Sequence, residues 1–98
     1  MEIEAVKKEV SRIIKDELIK IPNGYRAFFF GSRVTRTASP RSDLDVGIEV
    51  PSPVPAEILR AIKLRCENIR TLYSIDIVDF AGTSDDFKKV AKTKIEEI

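Results

Sequence analysis

Residues 26–50 read RAFFFGSRVTRTASPRSDLDVGIEV, and this stretch decides the fold. Its aromatic start, residues 25–30 with the preceding tyrosine, is short and bounded by glycines, which is typical of a buried strand. A polar connection over residues 33–42 then leads to residues 43–50, where polar and apolar residues alternate with a period of two. The stretch therefore predicts two strands joined through Gly31-Ser32 and a polar loop or short helix.

The alternation in the second predicted strand separates apolar from acidic side chains. One face carries Leu44, Val46, Ile48 and Val50. Asp43 and Asp45 lie two residues apart and share the other face. Two carboxylates so close repel each other unless a cation lies between them, and Mg²⁺ binds carboxylate oxygens together with substrate phosphates. By itself the pair fits a metal site or, more simply, a strand with one solvated polar face.

The Gly31-Ser32 turn also has two interpretations. A glycine after a buried strand lets the backbone approach a ligand closely. Free N–H groups at the start of a helical turn over residues 33–36, with the serine hydroxyl, would cradle phosphate oxygens. A plain β-turn is the simpler reading of the dipeptide alone, and both interpretations stay open.

The segments on either side predict three helices and a third strand. These are a helix over residues 3–21, a helix opening at Pro55 with an apolar stripe up to Leu72, a strand over residues 74–80, and a helix capped by Ser84 with a stripe up to Ile98. The order α-β-(loop or α)-β-α-β-α predicts an α/β (α+β) sandwich, a small mixed sheet with helices packed on it. Residues 1–98 are expected to form a single domain.

The third predicted strand carries two more aspartates. Asp76 and Asp79 differ by three positions, so they face opposite sides of a strand and only one can join Asp43 and Asp45. Asp76 lies within an apolar run, where a buried carboxylate needs a partner such as a shared metal ion. Asp79 lies nearer the strand end and is expected to be solvated or to cap the turn.

The composition excludes several classes of protein and site. The 98 residues contain no His, which excludes a Ser-His-Asp triad and a His-ligated metal, and the single cysteine, Cys66, excludes an internal disulfide. With 17 basic and 16 acidic residues the net charge is +1, which argues against a dedicated nucleic-acid binder. No apolar run is long enough for a membrane span and the start lacks a signal-peptide pattern, so a cytoplasmic protein is expected.

Taken together, residues 31–46 carry Gly-Ser, a short connection and then Ser-Asp-x-Asp. This pattern resembles the signature of the DNA polymerase beta-like nucleotidyltransferase superfamily. Residues 75–78, Ile-Asp-Ile-Val, resemble the place where that family carries its third carboxylate. The length and element order resemble the minimal nucleotidyltransferases, which are antitoxin-type partners of small helical HEPN proteins.

The resemblance implies roles for the three aspartates. Asp43 and Asp45 would hold two Mg²⁺ ions, and Asp76 would bind one of them and help deprotonate an attacking hydroxyl. The hydroxyl attacks the α-phosphate of a nucleoside triphosphate in line and pyrophosphate leaves, a reaction that two metal ions support without a histidine.

The resemblance also implies a phosphate site and shows one departure. Gly31 and Ser32 would hold the β- and γ-phosphates, with Arg33 and Ser42 beside them, although Arg33 fits a solvated loop charge equally well. Many minimal members have glycine where this chain has Arg36, and an arginine does not adopt positive φ cheaply. Either the turn does not need that geometry or the loop is reshaped, and the departure bears on activity rather than on the fold.

The implied function is transfer of a nucleoside monophosphate, AMP from ATP, to a hydroxyl on a HEPN-type toxin, with this chain as the antitoxin. The alternative is a degenerate binding module that neutralises its partner by contact alone. The three aspartates favour the enzyme, and Arg36 favours the alternative. The sequence leaves open whether the chain forms a homo-oligomer.

Overall fold

The computed structural model describes residues 2–22, 24–31, 43–50 and 53–98. Within them the chain forms three α-helices, four strands and one 3₁₀ turn. These are α1 (Ile3–Leu18), β1 (Arg26–Phe30), β2 (Leu44–Glu49), α2 (Ala56–Glu67), β3 (Ile75–Asp79), the 3₁₀ turn (Phe80–Gly82), α3 (Asp85–Ala91) and β4 (Glu96–Glu97). None of these helices is both long and apolar enough to cross a membrane.

The strands form one mixed sheet in the order β3-β2-β1-β4. β1 pairs antiparallel with both β2 and β4, whereas β2 and β3 are parallel and are connected through α2. A parallel pair needs such a crossover connection because the chain must return to the same end of the sheet. The mixed sheet with helices packed on it confirms the predicted architecture.

One face of the sheet packs against α1 and α2. Most of the apolar stripe of α1 is fully buried there, and Ile3 at its start is half-buried. The apolar residues of β2 are fully buried on the same side, and Ile62 and Cys66 of α2 complete the core. Arg65 of α2 ties the two helices together, since its guanidinium donates to Glu17 at 2.9 Å and to Asp16 at 3.2 Å, both in α1. The opposite face of the sheet packs against a different set of residues.

That second face carries an aromatic cluster of Phe28, Phe30 and Phe80. The rings lie directly on the backbone of β2 at Gly47, where an added Cβ would come within 2.5 Å of the Phe28 ring and 2.7 Å of the Phe80 ring. Any larger residue at this position would displace the rings. Gly47 therefore lets the cluster pack closely over the middle of the sheet.

The end of the chain differs from the prediction of a helix up to Ile98. α3 ends at Ala91, and β4 then pairs with β1 through Glu96 and Glu97. Val90, expected in a buried stripe, is 76% exposed. The helix prediction is wrong here because the free edge of β1 offers backbone hydrogen bonds, including one from the Ile98 N–H to a β1 carbonyl at 2.9 Å.

The second helix is also shorter than its apolar pattern suggested. α2 begins at Ala56, with Pro55 as the residue that precedes it, and ends at Glu67. Leu72 lies beyond the helix and is fully exposed, so it does not belong to the buried stripe.

Candidate active site

Gly31 and three aspartates, Asp43, Asp45 and Asp76, lie at one end of the sheet, which we call the carboxylate end. Because β1 runs antiparallel to β2 and β2 runs parallel to β3, the last residue of β1 meets the first residues of β2 and β3 there. The register pairs Phe30 with Asp45 and Asp45 with Asp76. Asp45 therefore lies in the middle of a row of three neighbouring strands.

The three aspartates share the sheet face that is opposite α1 and α2. Paired residues on neighbouring strands point to the same side, and Asp43 lies two residues before Asp45, so it points there too. Asp45 is half-buried, whereas Asp43 and Asp76 are exposed. The structure thus places on one sheet face the three aspartates that the sequence singled out.

The carboxyl group of Asp45 is the electrostatic centre of this end of the sheet. Its pKa is raised first by burial, then by the negative charge of Asp76 and then by that of Asp43. Each of these causes disfavours the charged form of the group. A cation placed among the three carboxylates would remove this penalty, which is the chemical reason that such a cluster suits a hard divalent ion.

Gly31 fits closely against the Asp45 carboxylate. Its φ is +79°, a conformation that favours glycine. A Cβ built on Gly31 would collide with Oδ2 of Asp45 and lie 3.3 Å from its Cγ. Only glycine leaves room for both the turn and the carboxylate.

Asp76 is exposed, which corrects the expectation that it is buried in an apolar run. β3 is an outer strand of the described sheet, so its side chain on this face has fewer neighbours than one on β2. The partly buried carboxylate is that of Asp45, on the inner strand β2. An exposed Asp76 is accessible to an incoming reactant.

Asp79 has a structural role, as the capping interpretation predicted. One carboxylate oxygen accepts a hydrogen bond from the Val54 N–H at 2.9 Å, and the other accepts one from the Ala81 N–H at 3.0 Å. It therefore fastens the segment before α2 to the end of β3. It lies on the opposite side of the strand from Asp76, and its register partner Ile48 is three residues along β2 from Asp45.

Several predicted site residues lie outside the described residues. These are Ser32, Arg33, Arg36 and Ser42, together with the helical turn expected over residues 33–36. In the described ranges, no group of three or more His, Cys, Asp or Glu side chains is close enough to hold a metal ion. The aspartates share a face and influence each other electrostatically without forming a closed set of ligands.

Comparison with known proteins places this geometry in a family. The sequence profile of the family "Polymerase beta, Nucleotidyltransferase" matches residues 9–97. The probable protein adenylyltransferase MntA of Haemophilus influenzae is 30% identical over 87 residues, which cover 89% of this chain and 76% of MntA. Both matches include the carboxylate end.

Solved structures share the fold at low sequence identity. A toxin–antitoxin crystal structure with AMP-PNP superposes with a TM-score of 0.71 at 16% identity, covering 93% of this chain and 70% of the other. A complex of a tri-AMPylated HEPN toxin with its MNT antitoxin, from Shewanella oneidensis, gives 0.66 at 14% identity. The toxin–antitoxin MntA–HepT gives 0.64 at 14% identity, and each of these two covers 96% of this chain and 69% of the other.

The profile match spans nearly the whole chain, and the relative is 30% identical over most of it. The mixed sheet agrees with the fold of the solved structures. The chain belongs to the polymerase beta nucleotidyltransferase family, as a minimal nucleotidyltransferase related to MntA.

Proposed function

We propose that this chain is a protein adenylyltransferase that transfers AMP from ATP to a hydroxyl group on a HEPN-type toxin and thereby acts as the antitoxin. The relative MntA is named a protein adenylyltransferase, and one structural neighbour is an antitoxin bound to an AMPylated HEPN toxin. Since ATP is the proposed substrate, the reaction is assigned to the cytoplasm.

The observation that carries the proposal is the position of Asp45. It lies half-buried beside Asp76 and Asp43, and its pKa is raised first by burial and then by the negative charges of Asp76 and Asp43. The donor set fits Mg²⁺, because all three groups supply the carboxylate oxygens that this ion prefers. Asp43, Asp45 and Asp76 would hold two ions, which supply the positive charge that stabilises the attacking and leaving oxygens of an in-line displacement.

The protein's own groups then have distinct tasks. The hydroxyl oxygen of the acceptor forms a bond to the α-phosphorus, the bond from that phosphorus to the bridging oxygen breaks, and pyrophosphate leaves. Asp76, which is exposed at the edge of the sheet, accepts the proton of the hydroxyl. Gly31 keeps the turn backbone against Asp45, and with Ser32, Arg33 and Ser42 it binds the β- and γ-phosphates.

The partner supplies the position of the acceptor. The carboxylate end is an open part of a small sheet, so the chain alone provides little surface that holds a hydroxyl in line with the α-phosphate. Such positioning contributes several kcal/mol to catalysis, by an order-of-magnitude estimate. We therefore expect efficient transfer only within the complex of the two proteins.

The test is incubation of the purified toxin and this chain with ATP and Mg²⁺, followed by intact-mass measurement of the toxin. We expect a mass increase equal to one or more AMP units. Asp45→Asn should lower the rate by about 100-fold or more, because it removes a charge from the metal site. Asp79→Asn is the matched control, since it changes an aspartate outside the site and should retain transfer.

Two results would contradict the proposal. One is an unchanged toxin mass while the toxin is still inhibited on binding, which would favour neutralisation by contact alone. The other is full transfer by Asp45→Asn or in the presence of excess EDTA, which would exclude the proposed role of Mg²⁺ at this end of the sheet.

A further inference from the structure

The sheet face that carries the aspartates also carries the aromatic cluster. On β2, Asp45 is followed on this face by Gly47, and on β1 the corresponding residues are Phe30 and Phe28. The face is therefore divided into a carboxylate end and an adjoining aromatic part. Phe30 borders both, because it is the direct cross-strand neighbour of Asp45 and the residue before Gly31.

Phe87 of α3 extends this cluster outward. Its ring centroid lies 6.2 Å from that of Phe30, with the rings perpendicular, and 5.8 Å from that of Phe80. These distances are typical of favourable aromatic pairs. Phe30 and Phe80 are at most 6% exposed, whereas Phe87 is 42% exposed. Its ring is thus fixed by two buried rings and still presents aromatic surface to solvent.

An exposed, rigidly held aromatic ring beside a triphosphate site suits a nucleobase. Phe30 connects the two regions, because it is the cross-strand neighbour of Asp45 and packs against Phe87. A nucleoside triphosphate bound through its phosphates at Gly31 and the aspartates would therefore reach the aromatic part with its base. Aromatic side chains bind bases by stacking, and every base has a suitable π-face. A phosphate group would find no favourable partner on the phenyl ring, whose face is negative.

We infer that Phe87 is the residue on which the base of the bound triphosphate stacks; this inference rests on the proposed function. Stacking on Phe87 adds affinity for the nucleoside part of the substrate and none for the phosphates. It also orients the triphosphate, because the base is held on the aromatic part while the phosphates lie at the carboxylate end.

The test compares two ligands by calorimetric titration in Mg²⁺ buffer: ATP and inorganic tripolyphosphate, which lacks the nucleoside. For Phe87→Ala we expect ATP to bind about tenfold more weakly. The affinity for tripolyphosphate should not change. Phe87→Tyr keeps the ring and should restore the affinity for ATP.

Val90→Ala is the matched control. Val90 is an apolar residue of the same helix and is more exposed than Phe87, at 76%, but it has no aromatic ring. We expect Val90→Ala to bind ATP and tripolyphosphate as the wild type does. Thermal unfolding of each variant verifies that the fold is intact.

A second measurement uses the absence of tryptophan from the sequence. Phe87→Trp introduces a single tryptophan, so its fluorescence reports on this position alone. ATP should quench the fluorescence by stacking on the indole, and tripolyphosphate should leave it unchanged.

The possible failures are distinguishable. Equal ATP affinity of the wild type and Phe87→Ala, with AMP transfer intact, overturns this inference and leaves the proposed function standing. Equal loss of ATP and tripolyphosphate binding in Phe87→Ala also overturns it, because the effect would then be structural. If Phe87→Ala binds ATP normally but no longer binds the toxin, Phe87 belongs to the interface with the partner, and this inference is overturned. Failure of the wild type to bind ATP overturns both proposals.

Discussion

The charged carboxylate of Asp45 lowers the free energy of unfolding of the protein. Burial, Asp76 and Asp43 raise its pKa in the folded protein above the value in the unfolded chain. Between those two pKa values the folded state binds more protons than the unfolded state, so the free energy of unfolding falls as pH rises through that interval. At pH values above both pKa values the whole of this penalty is present.

We therefore expect Asp45→Asn to be more stable than the wild type at pH 7 when EDTA removes divalent ions. The amide has a similar shape and no charge, so the penalty disappears. The difference in Tm should shrink as the pH is lowered below the raised pKa and vanish below the unfolded value. A wild type at least as stable as the variant at pH 7 would contradict this account of Asp45.

Gly31 and Gly24 provide a second comparison between single residues. Both have positive φ, +79° and +81°, but an added Cβ collides with Asp45 at Gly31 and meets nothing within 4 Å at Gly24. Each replacement by alanine should cost about 1–2 kcal/mol of unfolding free energy for the backbone conformation. Gly31→Ala should cost about 1 kcal/mol more for the displaced carboxylate. Urea unfolding measures both, and equal losses would mean that the contact with Asp45 is easily relieved.

Among the elements, β3 and the start of α2 depend on Asp79. Its two oxygens accept hydrogen bonds from two different backbone N–H groups, at Val54 and Ala81. Asparagine offers one acceptor oxygen, so Asp79→Asn should lower the free energy of unfolding by about 1–3 kcal/mol while leaving AMP transfer in place. A stable variant that has lost transfer would show that Asp79 belongs to the site.

The elements that local pattern specifies were predictable. Alternation with a period of two placed the apolar side of β2 correctly, because Leu44, Val46 and Ile48 are all fully buried. β4 was not predictable, since Glu96-Glu97 has no strand signal of its own. It forms because β1 has a free edge, with Glu97 bonded to Arg26 and Glu96 to Lys7.

The candidate site was also predictable only in part. The alternation of side chains along a strand predicted that Asp76 and Asp79 face opposite sides of β3, and in the structure they do. The burial of each aspartate was not predictable from this alternation, because it depends on the order of the strands in the sheet. Asp45 is half-buried since it lies on an inner strand, and Asp76 is exposed since it lies on an outer one. The aromatic neighbour Phe87 depends in the same way on how α3 packs.

At the scale of the whole molecule, β1 and β2 belong to both cores. β1 buries side chains in both: Ala27 and Phe29 on the face of α1 and α2, and Phe28 and Phe30 in the aromatic cluster. β2 buries its apolar side chains against α1 and α2, and its backbone at Gly47 packs under the aromatic rings. The two cores are therefore expected to unfold together as one cooperative unit, as the single-domain interpretation of residues 1–98 predicts.

Replacement of Ile62 tests this expectation. Ile62 of α2 is fully buried on the helical face, so Ile62→Ala should lower the free energy of unfolding by about 2–5 kcal/mol. Near-UV circular dichroism of the phenylalanines, which report mainly on the other face, should shift to the same lower midpoint as the far-UV signal. Separate midpoints for the two signals would show two independent units.

The outer strands of the described sheet have a consequence for association between copies of the chain. β4 consists of Glu96 and Glu97, and β3 carries Asp76 and Asp79. Unpaired strand edges invite further strands, and charged side chains discourage this. Two such edges brought together would place carboxylates opposite carboxylates. The residue proposed to accept a proton in catalysis thus also helps to keep the sheet from growing by edge-to-edge aggregation.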